Sequence, residues 1–351
     1  VCSSNLPEPT IGPNSDTQST EHFGVLTYTG DGAQTRTITS GATGISGVMD
    51  FKPDWVLHRI RAGTTQGIGN WDSTRGFTGA AALDWTSTAV EGTWVGAASA
   101  GYGFVSGVDT NDVSLDDGTS ATNGGYVNYD DRTYVMWNWK ANGGTTVTNE
   151  DGTIDSTVQA NTDAGFSIIT YTGTGVGGKT IGHGLSSAPD WIIIKQRGAS
   201  VALYSWNVYH SGLSGNANSV ALNNSNDATG DTNTFNNTAP TSSVFSLGND
   251  AYKNITNHDG TGYVAYCFHS VEGYSKAATD GAFVYLGFRP AFVLIKNADE
   301  NGYNWYLYDN LRKPSNPNST YTVSNSSAVE QNYAGDSIDH LSNGFKLRTD
   351  A

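Results

Sequence analysis

The sequence predicts an all-β protein made of tandem antiparallel β-sandwich units with a jelly-roll or lectin-like shape. Gly is abundant at 43 residues and Lys plus Arg reach only 18, a composition unlike that of helical proteins. Short apolar runs at 191–194 and 263–268 are β-branched or alternate with period two, which indicates strands. Such runs recur in the same order along the chain, which indicates repeated copies of one unit.

The first repeated element is an opening strand. Residues 23–30 and 166–173 both read Phe-x-x-x-Thr-Tyr-Thr-Gly, and a degraded third version begins at 273–276. The third and fourth repeated elements are a tryptophan-centred strand and a Gly-Phe strand. The tryptophans are Trp71, Trp206 and Trp305, and the Gly-Phe segments lie at 103–104, 244–247 and 344–347.

The second repeated element is a strand that follows a proline. The prolines are Pro53, Pro189 and Pro290, and the aromatic residues that follow are Trp55, Trp191 and Phe292. Proline has no amide donor and is tolerated only where a strand begins. Burying the ring that follows removes roughly 150–250 Å² from water, worth several kcal/mol. We therefore expect Trp55 and Trp191 to pack in a core rather than to contact a ligand.

The closing strand occurs in only two copies, at 134–140 and 262–269. Its tyrosine lies 81 positions after Pro53 in the first copy (Tyr134) and 74 after Pro189 in the second (Tyr263), so a third would fall at 364–371, beyond Ala351. The third copy should therefore lack its closing strand. Residues after Ala351 or a neighbouring chain would supply it, and the preference for sequence-local pairing favours the former.

These elements predict four segments. They are a linker from an upstream domain at 1–22, sandwich repeats at 23–150 and 151–272, and an incomplete repeat at 273–351. Within the first two repeats, segments 105–125 and 212–240 are rich in Asn, Asp, Ser, Thr and Gly. We expect them to be exposed loops.

The charge and the motifs argue against several classes of function. A net charge of −15 repels nucleic acid and anionic lipid, and no apolar stretch is long enough to span a bilayer. The histidines have no metal-ligand spacing, and His183 is expected to be a turn residue. Cys2 and Cys267 lie far apart, so we expect Cys267 to be a buried free thiol. We predict no catalytic residue, no cofactor-binding residue and no enzyme activity.

Acidic clusters at 116–118, 130–131 and 150–152 leave a metal site undecided. Paired carboxylates could serve glycoside hydrolysis, but their spacing is not recognisable and solvated turns are the favoured reading. Asp and Asn on Gly-rich loops are also ligands of Ca²⁺, although the segment 149–155 lacks the expected distal Glu. Ca²⁺ therefore stays the one candidate ion.

Several of these segments together resemble a known family. They are the Leu-Pro-x-Pro-Thr linker at 6–10, the Tyr-Thr-Gly strand ends, the Pro-Asp-Trp strands, and residues 134–140, 271–275 and 341–347. The chain resembles a repeat domain of unknown function found in bacteriophage virion proteins, tail-fibre-like or otherwise structural, where it follows a SPRY-type domain. This resemblance implies a virion location and no assigned catalytic residue.

The expected function is that of a bacteriophage virion protein, fibre- or appendage-like, that presents loops for attachment to a host surface. It would lie on the extracellular particle, bind other virion proteins, form a homo-oligomer and contact a host glycan or protein. It would bind no nucleic acid and insert into no membrane. One alternative is a purely architectural decoration protein of capsid or tail. Another is a polysaccharide depolymerase, which would need two carboxylates converging in a groove.

Overall fold

The computed structural model describes residues 18–63, 65–92, 103–118, 125–198, 203–213, 219–228, 234–249, 253–279, 281–333, 335 and 337–348. Strands make up 41% and helices 4% of the chain, which confirms the all-β class. Within these ranges the helices are short: 3-10 helices at Ser19–Glu21 and Gly79–Ala81, α1 (Gly125–Asn128) and α2 (Lys253–Thr256). The linker motif at 6–10 and Cys2 lie outside the described residues.

Every strand pair is antiparallel, and the strands group into three units, each with a large and a small sheet. The first unit contains β1 (Phe23–Thr29), β2 (Thr35–Thr39), β3 (Ile45–Ser46), β4 (Trp55–Ile60), β5 (Gly69–Asp72), β6 (Leu83–Asp84), β7 (Phe104–Asp109), β8 (Asp112–Asp116) and β9 (Thr133–Trp139). Its large sheet has the order β3-β1-β9-β4-β5-β6 and its small sheet β2-β8-β7.

The second unit repeats this arrangement. Its strands are β10 (Val147–Asn149), β11 (Ser156–Asn161), β12 (Phe166–Thr172), β13 (Thr180–Gly182), β14 (Trp191–Gln196), β15 (Asn207–His210), β16 (Val220–Ala221), β17 (Val244–Ser246) and β18 (Gly262–Phe268). The large sheet has the order β10-β11-β12-β18-β14-β15-β16, and β13 pairs with β17.

The third unit is smaller. Its strands are β19 (Phe283–Tyr285), β20 (Phe292–Lys296), β21 (Trp305–Asp309), β22 (Thr320–Val323), β23 (Gln331–Asn332), β24 (Ile338–Leu341) and β25 (Gly344–Leu347). They form the sheets β20-β21-β22-β23 and β19-β25-β24. The predicted opening strand at 273–276 is wrong, because this segment forms a turn closed by a bridge between Val271 and Ser275.

The two faces of each large sheet serve different cores, because alternate residues of a strand point to opposite sides. One face covers a core within its own unit, to which the small sheet contributes. The other face joins a core that contains residues of all three units, which we call the shared core. Trp55 and Trp191 pack in or against a core, as predicted, and with Phe292 they belong to the shared core rather than to the core of their own unit.

Strand registers test the sequence alignment of the copies. Trp55 pairs with Asp72, Trp191 with His210 and Phe292 with Asp309, so these aromatic residues are structural counterparts. The closing strands also correspond, because Trp139 and Phe268 pair with Trp55 and Trp191. The strand that follows the proline and the closing strand are therefore present where the sequence predicted them.

Two predicted alignments are wrong. The same registers make Trp71 the counterpart of Tyr209 and Tyr308, whereas Ile68 matches Trp206 and Trp305. The offset of three residues places Trp71 in the core of its own unit and the other two tryptophans in the shared core. The Gly-Phe alignment also fails in the first copy. The Gly-Phe strands β17 and β25 pair with β13 and β19, and the strand with the same pairing in the first unit is β8, which pairs with β2. Phe104 lies on β7 instead.

The two segments expected to be exposed loops are partly buried structure. Residues 104–116 form the β7–β8 hairpin, and Val105, Val113 and Leu115 are buried in the first unit's core. Within 212–240, Leu222 and Phe235 are buried. Residues 119–124, 214–218 and 229–233 lie outside the described part of the chain.

Candidate functional site

A basic residue at the fifth position of β4, β14 and β20 joins each unit to a neighbour. These residues donate hydrogen bonds to main-chain carbonyl oxygens of the adjacent unit: Arg59 to Ser326 and Ala328, Lys195 to Thr88 at 2.8 Å, and Lys296 to Ser225 at 3.4 Å. The first unit thus contacts the third, the second the first, and the third the second. The three units therefore form a closed ring around the shared core.

The contact between the first and second units contains a buried salt-bridge cluster, which we call the first cluster. Arg75 binds Asp72 at 2.6 Å and Glu91 at 2.9 Å, and both Arg75 and Asp72 have fully buried side chains. From the second unit, the Tyr266 hydroxyl donates to Asp72 at 2.7 Å and Arg197 binds Glu91 at 2.7 Å. Tyr266, an inward side chain of β18 in the second unit, is therefore hydrogen-bonded to a buried ion pair of the first unit.

The contact between the third and first units repeats this arrangement in a second cluster. Arg312 binds Asp309 at 2.5 Å and Glu330 at 2.9 Å. From the first unit, Trp137 Nε1 donates to Asp309 at 3.1 Å and Arg61 binds Glu330 at 2.9 Å. Trp137 on β9 is the counterpart of Tyr266 on β18, so both closing strands are anchored to the adjacent unit in the same way.

The protonation of these groups follows from burial and charge. Burial by itself lowers the pKa of Arg75 and Arg312, but the adjacent carboxylates outweigh it and raise the pKa of both. Lys195 has no such carboxylate, and burial lowers its pKa to about 7. Burial likewise lowers the pKa of Arg59 to about 10, against the opposing influence of Asp84.

The contact between the second and third units has different residues at the same positions. His210 and Leu213 stand where the other units have Asp and Arg, at residues 72 and 75 and at residues 309 and 312. In the two clusters, the main-chain amides of Glu91 and Glu330 donate to the main-chain carbonyls of Arg197 and Arg61, respectively. At this contact the amide of Ala228 donates to the carbonyl of Ala298 at 2.7 Å in the same way. Both charged partners are therefore Ala at this contact, and the cluster is absent there.

The same contact is where a strand is missing from the third unit. In the other units β9 and β18 pair with β4 and β14, but β20 lies at the end of its sheet and pairs only with β21 among the described residues. Leu57 and Ile193 are fully buried, whereas Leu294 at the same position is only partly buried. We call this side of β20 the free edge, and it is the candidate functional site.

Two buried histidines make hydrogen bonds within their own units. His183, expected to be a turn residue, directly follows β13, where it is buried, accepts from the Leu185 amide and contacts the Thr241 carbonyl. His58 contacts the Tyr28 hydroxyl at 2.8 Å, and burial lowers the pKa of His58 to about 3. Within the described residues, no three His, Cys, Asp or Glu side chains are grouped to hold a metal ion.

The acidic clusters make local turn contacts. Asp116 accepts from the Gly118 amide at 2.7 Å, and Asn149 accepts from the Asp151 amide at 3.0 Å. These contacts agree with the turn role favoured by the sequence. Cys267 is a free buried thiol, as predicted, and burial raises its pKa.

A polar cavity of about 180 Å³ lies in the second unit. Its lining includes Tyr204, Asn207, Asn224 and Asp227. These side chains provide hydrogen-bond donors and acceptors to the cavity.

A family comparison matches residues 18–351, which include all three units. The chain belongs to the DUF7483 family, a domain of unknown function. No curated protein and no solved structure matches the chain. In the part of this DUF7483 chain that the structure describes, no helix has the length and apolar character needed to cross a membrane.

The two salt-bridge clusters were missed in the sequence, although a signal was present. Residues 71–75 and 308–312 share the pattern aromatic-Asp-x-x-Arg and occupy the same positions when β5 is aligned with β21. The tryptophan-centred alignment displaced the first copy by three residues and hid this pattern.

Proposed function

We propose that this DUF7483 protein is a structural component of a bacteriophage particle, of the fibre or appendage type, that presents surface loops to the host. The observation that carries the proposal is the closed ring of three units around one shared aromatic core. Such a ring holds loops from three units in fixed relative positions, as an attachment protein requires. The resemblance of the repeated segments to virion proteins supports the same role.

The binding surface for the host would be polar. The cavity lined by Tyr204, Asn207 and Asp227 supports a glycan ligand, because sugar rings stack on aromatic faces and their hydroxyls pair with amides and carboxylates. The net charge of −15 disfavours anionic partners such as nucleic acid. A homo-oligomer would multiply weak contacts of this kind through avidity.

The second candidate is a purely architectural decoration protein of the capsid or tail. The free edge of β20 supports this alternative, since an unpaired strand edge is a ready site for assembly. Both candidates place the protein on the particle, and they differ in whether the host surface is a ligand.

Two measurements test the proposal. Gold-labelled antibody against this chain should decorate intact particles of the phage that encodes it, and an unlabelled particle contradicts both candidates. Excess purified protein should slow adsorption of that phage to its host, and the paired substitution Tyr204→Ala with Asn207→Ala should remove the competition. Labelled particles with unchanged adsorption favour the architectural candidate.

A depolymerase activity is tested with the same purified protein. The carboxylates that the structure brings together, Asp72 with Glu91 and Asp309 with Glu330, are bound to buried arginines. Host surface polysaccharide incubated with the protein should keep its chain length by size-exclusion chromatography, and fragmentation would contradict the structural proposal.

A further inference from the structure

We propose that Ser73 and Gln159 form an ester that joins the first unit covalently to the second. Ser73 directly follows β5 of the first unit, and Gln159 lies on β11 of the second. The Ser73 hydroxyl oxygen lies 2.9 Å from Nε2 and 3.3 Å from Oε1 of the Gln159 amide. An oxygen in contact with both ends of one amide is about 3.5 Å from its carbonyl carbon, a separation from which attack can begin.

Asp54 is placed to act as the base for this reaction. It accepts a hydrogen bond of 2.6 Å from the Ser73 hydroxyl, and its other oxygen accepts from the main-chain amides of Ala141 and Gly143 at 2.8 Å each. Asp54 is fully buried, and all three hydrogen bonds are donated to it, as a carboxylate requires. Because this short bond uses the single hydroxyl proton, the lone pairs of the Ser73 oxygen are left to face the amide.

The Gln159 amide is held by its other contacts. The main-chain amide of Gly144 donates to Oε1 at 2.9 Å, so a donor already faces the oxygen on which negative charge develops during attack. Nε2 donates to the Thr74 hydroxyl at 2.7 Å. Gln159 is fully buried, which excludes the water that would hydrolyse an ester. The last torsion of a glutamine side chain is soft, so the amide can turn its face to the Ser73 oxygen.

The reaction is an acyl transfer that needs no oxidant, reductant or co-reactant. The Ser73 oxygen attacks the Gln159 carbonyl carbon while Asp54 takes the hydroxyl proton. The bond from that carbon to nitrogen then breaks, and the proton passes from Asp54 to the departing nitrogen. The products are an ester and one molecule of ammonia, so the chain loses about 17 Da. Two of the three units of the ring are then joined by a covalent bond.

The second unit contains the same aspartate and serine without the amide, and so provides an internal comparison. By the strand registers, Asp190 and Ser211 are the counterparts of Asp54 and Ser73, and their side chains are hydrogen-bonded at 3.1 Å. Ser211 is exposed, and within the described part of the chain no side-chain amide is hydrogen-bonded to it. The pair alone is therefore a feature of the repeat, and Gln159 adds the electrophile in the first unit.

Intact-mass spectrometry of the full chain tests the ester directly. After prolonged incubation, the purified protein should be lighter than its sequence mass by about 17 Da. Trypsin should yield one linked species made of residues 62–75 and 141–179, and fragmentation should place the bond between Ser73 and Gln159. Mild alkali should separate the two peptides, because hydroxide cleaves esters far faster than amides. An unchanged mass, a mass loss without linked peptides, or a bond to Thr74 would overturn the inference.

Substitutions separate an ester from a network of hydrogen bonds. Ser73→Ala should keep its full sequence mass, whereas the matched control Ser211→Ala and the conservative Ser73→Thr should both still lose ammonia. Asp54→Asn should cross-link at least about tenfold more slowly, because a general base typically contributes about 10²–10⁴-fold. Tryptophan emission like that of the native protein identifies the folded variants before their masses are compared. A mass loss in Ser73→Ala, or cross-linking of Asp54→Asn at the native rate, contradicts the roles assigned to these residues.

Discussion

The first cluster gives a quantitative prediction, because the chain itself contains a natural version of the same contact without charges. Arg75→Leu should lower the free energy of unfolding by about 3–5 kcal/mol, since it removes one partner of a buried ion pair and leaves the Asp72 carboxylate uncompensated. The size follows from the fully buried side chains of both residues and from the two carboxylates that Arg75 binds.

The double variant Asp72→His with Arg75→Leu copies His210 and Leu213 into the first unit. Its free energy of unfolding should be only about 1–2 kcal/mol below that of the native protein, because replacing a whole buried ion pair costs little. The remaining loss comes from the Tyr266 hydroxyl, which loses its acceptor. Urea unfolding followed by tryptophan fluorescence measures both variants. Arg348→Leu is the control, since its salt bridge with Asp339 is 48% exposed at Arg348 and should be worth less than about 1 kcal/mol. A double variant no more stable than Arg75→Leu refutes the reasoning.

Three further predictions concern single residues. His58 stays neutral in the folded protein with a pKa of about 3, so stability should fall by up to about 1.4 kcal/mol per pH unit as the pH drops below about 6.5 and the unfolded state alone binds the proton. Urea midpoints from pH 7 to 4 should therefore fall more steeply for the native protein than for His58→Gln, and parallel curves contradict the assignment. Trp206→Phe removes the bond from Nε1 to the Asp84 carbonyl at 2.8 Å and should cost about 1–2 kcal/mol in the same assay, whereas an unchanged midpoint would show that the bond adds nothing. Finally, a thiol reagent should label Cys267 in a Cys2→Ser background only after unfolding, and rapid labelling of the native protein would show that this residue is accessible.

Local pattern predicted much of the fold. The strands at 55–60, 191–196 and 292–296 could be located because a proline marks each beginning and branched or aromatic residues follow. The closing strands at 134–140 and 262–269 followed from their repeated residue pattern, and among the described residues β20, which follows the third proline, pairs only with β21. These features depend on residues close together in sequence.

What the sequence did not reveal depends on distant residues. The shared core was missed because an apolar strand face gives no sign of whether it packs on its own unit or on another. The sequence predicted a loop where the β7–β8 hairpin lies, because the Asp, Ser and Gly residues there outnumber Val105, Val113 and Leu115. Val113 and Leu115 nevertheless alternate with polar residues as in a strand. The Glu91–Arg197 and Glu330–Arg61 pairs join residues more than 100 positions apart, which no local pattern could predict.

The closed ring also limits how this gene can change. An open array of repeats can gain or lose a module, because each module contacts only its immediate neighbours in sequence. Here the third unit returns to the first through Arg312, Glu330 and Arg61, so duplicating or deleting one module would leave an apolar sheet face uncovered. Diversity between relatives should therefore come from residue changes and loop insertions on a fixed set of three modules.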